Sequence, residues 1–337
     1  WFATSVDSSN LSRNNCNAMS SQNRGQWGSK FGFIMAAAGS AVGLGNVWRF
    51  PYLTGENGGA AFVMIYVLCV VLVGAPMLIN EIAIGRLAAK SPVAAIKGFG
   101  ANKLWVALVG VLPLIVTFVV LSYYSVIAGW TVGYVYNSLF AVDITFEAFI
   151  STAAYVIPLG AFVILMTAWI VLGGVSGGIE KATKIMMPLL FVLLIVIIIR
   201  SLTLPGSGAG VEYYLVPDFS KITGGVVLKA LTQAFFSLGI GVGVMLTYGA
   251  YMPRTTHVLK SAAIISFSDG LASMLAGLAI FPIVFQYGLS PAEGPGLIFM
   301  TLPIAFGEMP GGGFVGALFF LLLVFAALTS SISLLES

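Results

Sequence analysis

Gly39-Ser40-Ala41-Val42-Gly43-Leu44-Gly45-Asn46 interrupts an apolar run that begins near Lys30 and ends near Thr54. Gly43 stands about 13 residues past Lys30, roughly 20 Å along a helix that rises 1.5 Å per residue, which is near the midplane of a bilayer. Glycine at 39, 43 and 45 and asparagine at 46 weaken helix there, because glycine loses the most backbone freedom on ordering and an asparagine amide competes for peptide groups. Unwound backbone at that depth meets no water, so it is tolerated only where it lines a cavity or binds something. Ser237-Leu238-Gly239-Ile240-Gly241-Val242-Gly243 repeats the pattern in a later apolar segment. Two glycine-broken spans, each opening one half of the chain, are the pattern expected of a ligand site between inverted repeats. Close helix packing through small residues is the competing explanation for either stretch alone.

The rest of the chain agrees with a lipid setting. Of 337 residues 59% are hydrophobic and 8% charged, with a mean hydropathy of +1.02, whereas about a quarter of a soluble domain is charged. Apolar segments at about 30–54, 58–86, 104–138, 149–174, 179–202, 225–252, 260–287 and 312–336 predict an all-α polytopic membrane protein of eight spans. Uninterrupted apolar runs such as 61–79 and 187–199 lack the alternation of a transmembrane β-barrel. Connections 203–224 and 288–311 carry enough Pro and Gly to predict turns around short helical pieces. Lys and Arg occupy the amino-terminal tail and alternate loops (Arg86, Lys90, Lys97 and Lys103; Lys181 and Lys184; Arg254 and Lys260). The positive-inside rule therefore places the N-terminus in the cytoplasm and the long connections outside. Residues 1–28 read as a disordered cytoplasmic tail, of which 1–18, upstream of Met19, read as an extension or cloning scar. The expected division is a first repeat of spans 1–5 over 29–202, an external connection over 203–224, and an incomplete second repeat of spans 6–8 over 225–337, so that the chain reads as a truncated fragment.

A formal charge of +3 without a basic cluster gives no indication of nucleic acid. His257, Cys16 and Cys69 are too few and too scattered for a metal site or a catalytic constellation, so no enzyme is expected. An ion channel would need a continuous polar pore. Asp269 lies about nine residues into the seventh span, roughly 13 Å deep. A carboxylate at that depth marks a pathway or an ion, the alternative being a protonated Asp bonded to a neighbour. Arg49 and Glu81 are the other ionisable residues inside spans, and Glu81 is expected to satisfy backbone freed at the first break. Thr329, Ser330 and Ser331 interrupt the eighth span, although such hydroxyls can also bond to their own helix.

The segment from Gly39 to Glu56, GSAVGLGNVWRFPYLTGE followed by NGGAAF, combines with the Tyr123-Tyr124 pair, QAFFSLGIGVG from Gln233 to Gly243, and FAALTSS from Phe325 to Ser331. This set resembles the neurotransmitter:sodium symporter family in its bacterial amino-acid branch, and the resemblance runs from about Arg24 to Glu336. It implies an inverted-repeat transporter with discontinuous first and sixth helices that carries an amino acid with sodium by alternating access. One sodium site would use the Ala41 carbonyl, Asn46, Ser237, Asp269 and the substrate carboxylate. The second would use carbonyls of Gly39, Val42 and Ala326 with the hydroxyls of Thr329 and Ser330. The substrate amine would face carbonyls of Ala41, Phe236 and Ser237, and its carboxylate the N–H groups of Leu44 and Gly45 and the Tyr124 hydroxyl. Val120, Phe236, Gly239, Val242, Ser330 and Leu334 match the remaining pocket positions.

Monoamine carriers of this family resemble one another in having aspartate where Gly43 stands, so an amino acid is favoured here. Val242 and Gly239 stand where some relatives have Phe and Ser, which enlarges the pocket and favours hydrophobic or aromatic side chains. Arg24, Trp27 and Tyr251 match the cytoplasmic gate, and Arg49 with Phe236 and Tyr124 the external one. Many members have asparagine at the Asp269 position, and Tyr66, Gln233, Ser237 and Ser273 match residues beside a chloride in animal members. The expectation is that Asp269 supplies that negative charge and chloride is not required. The implied setting is a multi-pass protein of the cell (inner) membrane whose partners are an amino acid and the lipid bilayer, with the oligomeric state left open. A non-transporting sensor, or a carrier of another carboxylated amine or osmolyte, is the alternative.

Overall fold

The computed structural model describes residues 25–142 and 144–337. Among these residues all regular structure is helical, as lipid demands of a single-chain span, because a helix satisfies its backbone within one segment. In chain order the helices are α1 (Lys30–Ala41), α2 (Gly45–Glu56), α3 (Ala60–Ala88), α4 (Pro92–Gly98), α5 (Lys103–Phe140), α6 (Phe146–Ser151), α7 (Ala153–Leu172) and α8 (Val175–Leu202). They continue with α9 (Ser207–Leu215), α10 (Gly224–Leu238), α11 (Val244–Ala250), α12 (Val258–Gln286), α13 (Leu297–Glu308) and α14 (Gly312–Glu336).

Six of these, α3, α5, α7, α8, α12 and α14, are long and apolar enough to cross a membrane, and α1 with α2 makes one further span bent by 44°. The sixth apolar segment is divided into α10 and α11 at Gly239–Gly243, so neither piece is a membrane-length helix by itself. The short helices α9 and α13 lie in the two long connections. The fourth segment is parted near its start: Thr152 is extended (φ −91°, ψ 100°) and separates α6 from α7. Residues 25–28, expected to end a disordered tail, are instead anchored, with Trp27 only 3% exposed. The first 24 residues, with Arg24 and Cys16, lie outside the described residues.

Polarity is arranged as lipid solvation requires. Leu72, Phe118, Leu165, Trp169, Leu172 and Phe267 are exposed, while Asn46, Gln233, Asp269 and Thr329 are buried. Helix α5 lies along α14 and α7, α8 packs on α1 and α12, and α3 on α10 and α11. One apolar core joins Val42, Leu44, Tyr124, Met187 and Ala326, and a second joins Trp27, Phe50, Tyr66 and Tyr248. The two halves of the broken first span thus plug into both cores.

Glycine sets the closest backbone approach: a Cβ at Gly85 would collide with the Leu246 backbone, and one at Gly249 with that of Ile82. Helices α3 and α11 therefore meet main chain to main chain. Gly85→Val should cost about 1–3 kcal/mol through overpacking and lower the Tm of the purified protein. Gly98→Ala, which meets nothing within 4 Å, should leave the Tm unchanged.

Candidate functional site

Helix α1 stops at Ala41 because Val42 turns extended (φ −74°, ψ 96°) while its N–H still bonds Ala38 O at 2.7 Å. The chain resumes through a wide π-helical turn at Gly45–Arg49, a geometry common at functional sites. Side chains take over the peptide groups left between. Gly43 N–H donates to Asn46 Oδ1 (3.0 Å), Leu44 N–H to the Tyr124 hydroxyl (3.3 Å), and Gly45 C=O accepts from Gln233 Nε2 (2.7 Å).

Asn46 is fully buried and reaches across to α12, where its Nδ2 donates to Asp269 O (3.0 Å), Asp269 Oδ1 (2.7 Å) and Ser273 Oγ (2.9 Å). The second carboxylate oxygen, Asp269 Oδ2, accepts from Ser237 Oγ (2.9 Å) and the Tyr66 hydroxyl (3.2 Å). Tyr66 also lies 3.1 Å from Ser237 Oγ and 3.0 Å from Ser273 Oγ. Asn46, Ser237 and Asp269, three of the residues singled out for an ion, therefore belong to one buried network that touches both helix breaks. Its carboxylate has no cationic side chain beside it: Lys184–Glu180 is the sole ion pair among the described residues. A buried carboxylate without a countercharge is costly.

On the other side of the break, Thr329 Oγ1 donates to Phe325 O (3.0 Å) and Ala326 O (3.1 Å), and Ser330 Oγ donates to Ser40 O (3.3 Å). A Cβ at Gly39 would touch Thr329, and one at Gly43 would run into Ser330 Oγ and the Tyr124 hydroxyl. The structure thus brings Gly39, Thr329 and Ser330 together and packs Val42 and Ala326 in one core. Val120 and Leu334 border that same core. Phe236 is 43% exposed, with the Arg49 guanidinium 4.6 Å over its ring.

In the sixth-span break Gly239, Gly241 and Gly243 have φ of 64°, 87° and 79°, values that L side chains resist. Gly241 N–H donates to Glu81 Oε1 (2.7 Å), and Val242 C=O accepts from Thr117 Oγ1 (3.0 Å). Glu81 therefore serves the sixth break, which corrects the expectation that it serves the first. Gln233, matched by resemblance to the Tyr66–Ser273 group, donates through Nε2 to Gly45 O (2.7 Å) and accepts from Arg49 Nη1 at Oε1 (2.7 Å), so it ties α10 to the first break and to Arg49. Thr117 went unnoticed in the sequence, where it is one hydroxyl in an apolar run.

At the far end of α1, Trp27 Nε1 donates to Tyr248 O (3.1 Å), its N–H donates to Tyr251 O (3.4 Å), and its ring stands edge-on to both tyrosines. The Tyr251 hydroxyl donates to Glu336 Oε1 (2.6 Å). Glu180, also missed, accepts from Gly28 N–H (2.6 Å) and Ser29 Oγ (2.8 Å) and pairs with Lys184. These contacts fasten the start of α1 to α8 and α11. The hydrogen bonds from two successive residues of the tail hold the Glu180 side chain in place.

The model of the sodium:neurotransmitter symporter family matches residues 24–151 and 153–337. The chain belongs to this family. Among its symporter relatives, an uncharacterised sodium-dependent transporter of Bacillus subtilis is 42% identical over 333 residues, covering 94% of this chain and 72% of that one. An uncharacterised sodium-dependent transporter of Methanocaldococcus jannaschii is 35% identical over 346 residues, covering 95% and 70%. The crystal structure of MhsT in complex with L-phenylalanine matches with a TM-score of 0.85 and 43% identity over 93% of this chain and 73% of that one. Family membership and the apolar helices make this a multi-pass membrane protein of a transporter family. The inverted-repeat fold expected from the two glycine-rich breaks holds, with discontinuous first and sixth helices.

Because Asn46 bonds Gly43, Asp269 and Ser273 at once, Asn46→Ala strands several buried groups and should cost this symporter about 3 kcal/mol. Ser40→Ala, which loses the partly exposed Ser40–Ser333 bond, should cost about 1 kcal/mol or less. Thermal unfolding of the purified proteins without sodium measures the difference.

Proposed function

We propose that this chain carries the sites of a sodium-coupled amino-acid symporter that takes a hydrophobic or aromatic side chain. The observation that carries the reading is the buried Asp269 carboxylate, bonded to Asn46 and Ser237 where both broken helices meet, without a cationic side chain beside it. The relatives' description as sodium-dependent transporters supports the ion, and MhsT crystallised with L-phenylalanine supports the substrate class.

In this reading one sodium is held by the Ala41 carbonyl, Asn46, Ser237, Asp269 and the substrate carboxylate. A second is held by the carbonyls of Gly39, Val42 and Ala326 with Thr329 and Ser330. Shells made only of oxygen suit a hard cation. Gly43 argues for a zwitterion: Ser330 Oγ and the Tyr124 hydroxyl lie where its Cβ would go, so no acidic side chain fits there and the anionic group arrives with the substrate. That carboxylate meets Leu44 and Gly45 N–H at the positive end of a half-helix, and the amine faces carbonyls of Ala41, Phe236 and Ser237. Val120, Phe236, Gly239, Val242 and Leu334 line an apolar room for the side chain.

Coupling follows from the shared carboxylate: ion and substrate each raise the affinity of the other by the same factor. Trp27 and Tyr251, with Arg24, form the cytoplasmic gate, and Arg49 over Phe236 the external one. The N-terminus is cytoplasmic and the membrane is the cell's inner membrane. The first repeat spans 29–202 and the second begins at 225 after an external connection.

The test is counterflow of labelled phenylalanine and leucine in proteoliposomes holding the protein at its full natural length. Uptake should require sodium, fail with potassium, and persist when gluconate replaces chloride. Binding without counterflow would identify a sensor, and collapse in gluconate would remove the role given to Asp269. Asp269→Asn should weaken sodium binding about tenfold, a loss of roughly 1.4 kcal/mol.

A further inference from the structure

We infer that Thr117, which lines neither proposed ion site, is a positioning residue that sets the size selectivity of the side-chain pocket by holding the carbonyl of Val242. The inference deepens the symporter reading and rests on it. Between α10 and α11 the backbone has little of its own to fix it. Ile240 N–H still bonds Phe235 O (3.1 Å) and Thr247 N–H already bonds Gly243 O (3.0 Å). The intervening Gly241 N–H and Val242 C=O are taken by two other spans, Glu81 on α3 and Thr117 on α5. Glycines at left-handed φ flank Val242 on both sides, so the segment has freedom to swing once an anchor is lost.

Thr117 is built to be such an anchor. It is 3% exposed, and its one hydroxyl proton is shared between two carbonyls, Pro113 O one turn back (2.8 Å) and Val242 O (3.0 Å). The bond to its own helix locks the rotamer, and that fixes where the second acceptor must sit. Pro113 and Pro92 close the other side, each about 3.6 Å from where a Gly243 Cβ would be. On α5, Thr117, Val120 and Tyr124 stand at i, i+3 and i+7, along one stripe of the helix. The anchor for Val242 is therefore carried by the helix that supplies the opposing pocket wall. One hydroxyl on α5 thus ties the Val242 carbonyl to the helix that carries Val120.

Thr117→Val keeps the shape and removes the donor, and Thr117→Ser keeps the donor and removes the methyl group. Sodium-dependent binding of labelled alanine, valine, leucine, phenylalanine and tryptophan to the purified protein reads the effect as a ratio. With T117V the Val242 peptide withdraws from Val120, and tryptophan should gain at least threefold in affinity relative to leucine. Sodium affinity, measured with leucine at saturation, should stay within twofold, and T117S should keep the wild-type ratio. Where T117V does not fold, T117A removes the same donor and should give the same shift. An unchanged ratio in the donor-less variant overturns the inference, as does a T117S shift equal to that of T117V, which would assign the effect to the methyl group. A wild-type protein that binds none of the series overturns the symporter reading and this inference with it.

Discussion

A helix opened inside lipid must hand its peptide groups to something, and in this protein the Asn46 side chain takes the central share. It accepts from Gly43 and donates to Asp269 and Ser273, so the shape of the break is stated in the positions of α12. Gln233 does the same from α10 by donating to Gly45 O. Asn46, on the first span itself, relays Gly43 to α12, while Tyr124 on α5 takes the Leu44 N–H and Gln233 takes the Gly45 carbonyl, so the first break cannot move without altering α5, α10 or α12. That is the requirement for a site whose occupancy is felt at both ends of a helix pair.

The two breaks are held by opposite kinds of anchor. Around the first, polar side chains form a closed network containing one carboxylate and complete burial, which is rigid when satisfied and unstable when not. Around the sixth, two isolated side chains, Glu81 and Thr117, each grip one peptide group, and three glycines supply freedom. The first suits an ion, whose shell tolerates little displacement. The second suits side chains of more than one size. Beyond them, the start of α1 is held by the Trp27 and Glu180 contacts, so the span that carries Asn46 past its break is anchored to α8 and α11 at its opposite end.

The breaks were legible in sequence because glycine and asparagine inside an apolar run are local signals with a direct backbone meaning. The spans were legible because apolar length alone states them, and even Asp269 stood out by its cost in lipid. Which polar residue serves which peptide group was not legible. Glu81 lies 160 positions from Gly241 and Gln233 lies 188 from Gly45, and no periodicity relates them. Gln233 looked like part of the Tyr66 group by position, but its amide has a carbonyl on one side and a guanidinium on the other. Thr117 and Glu180 resembled ordinary span and loop residues, since their roles exist only once α5 meets the sixth break and α8 meets the tail. Trp27 stood out through resemblance alone, while composition placed it in a disordered tail.

Charge bookkeeping gives Asp269 a meaning beyond hydrogen bonding. In the proposed reading two monovalent cations and a neutral zwitterion enter a region that holds one carboxylate, leaving a net charge of about +1 in a low-dielectric interior, where like charges several ångströms apart interact by several kcal/mol. With asparagine at this position the same cargo would leave about +2, and a further anion would be needed to avoid that cost. The Tyr66 and Ser273 hydroxyls that could hold such an anion are instead turned on the carboxylate and on each other. In that reading the donors are spent on a carboxylate that belongs to the chain itself. In that reading part of the cargo's charge is offset by the chain itself, through the one carboxylate that both broken helices enclose.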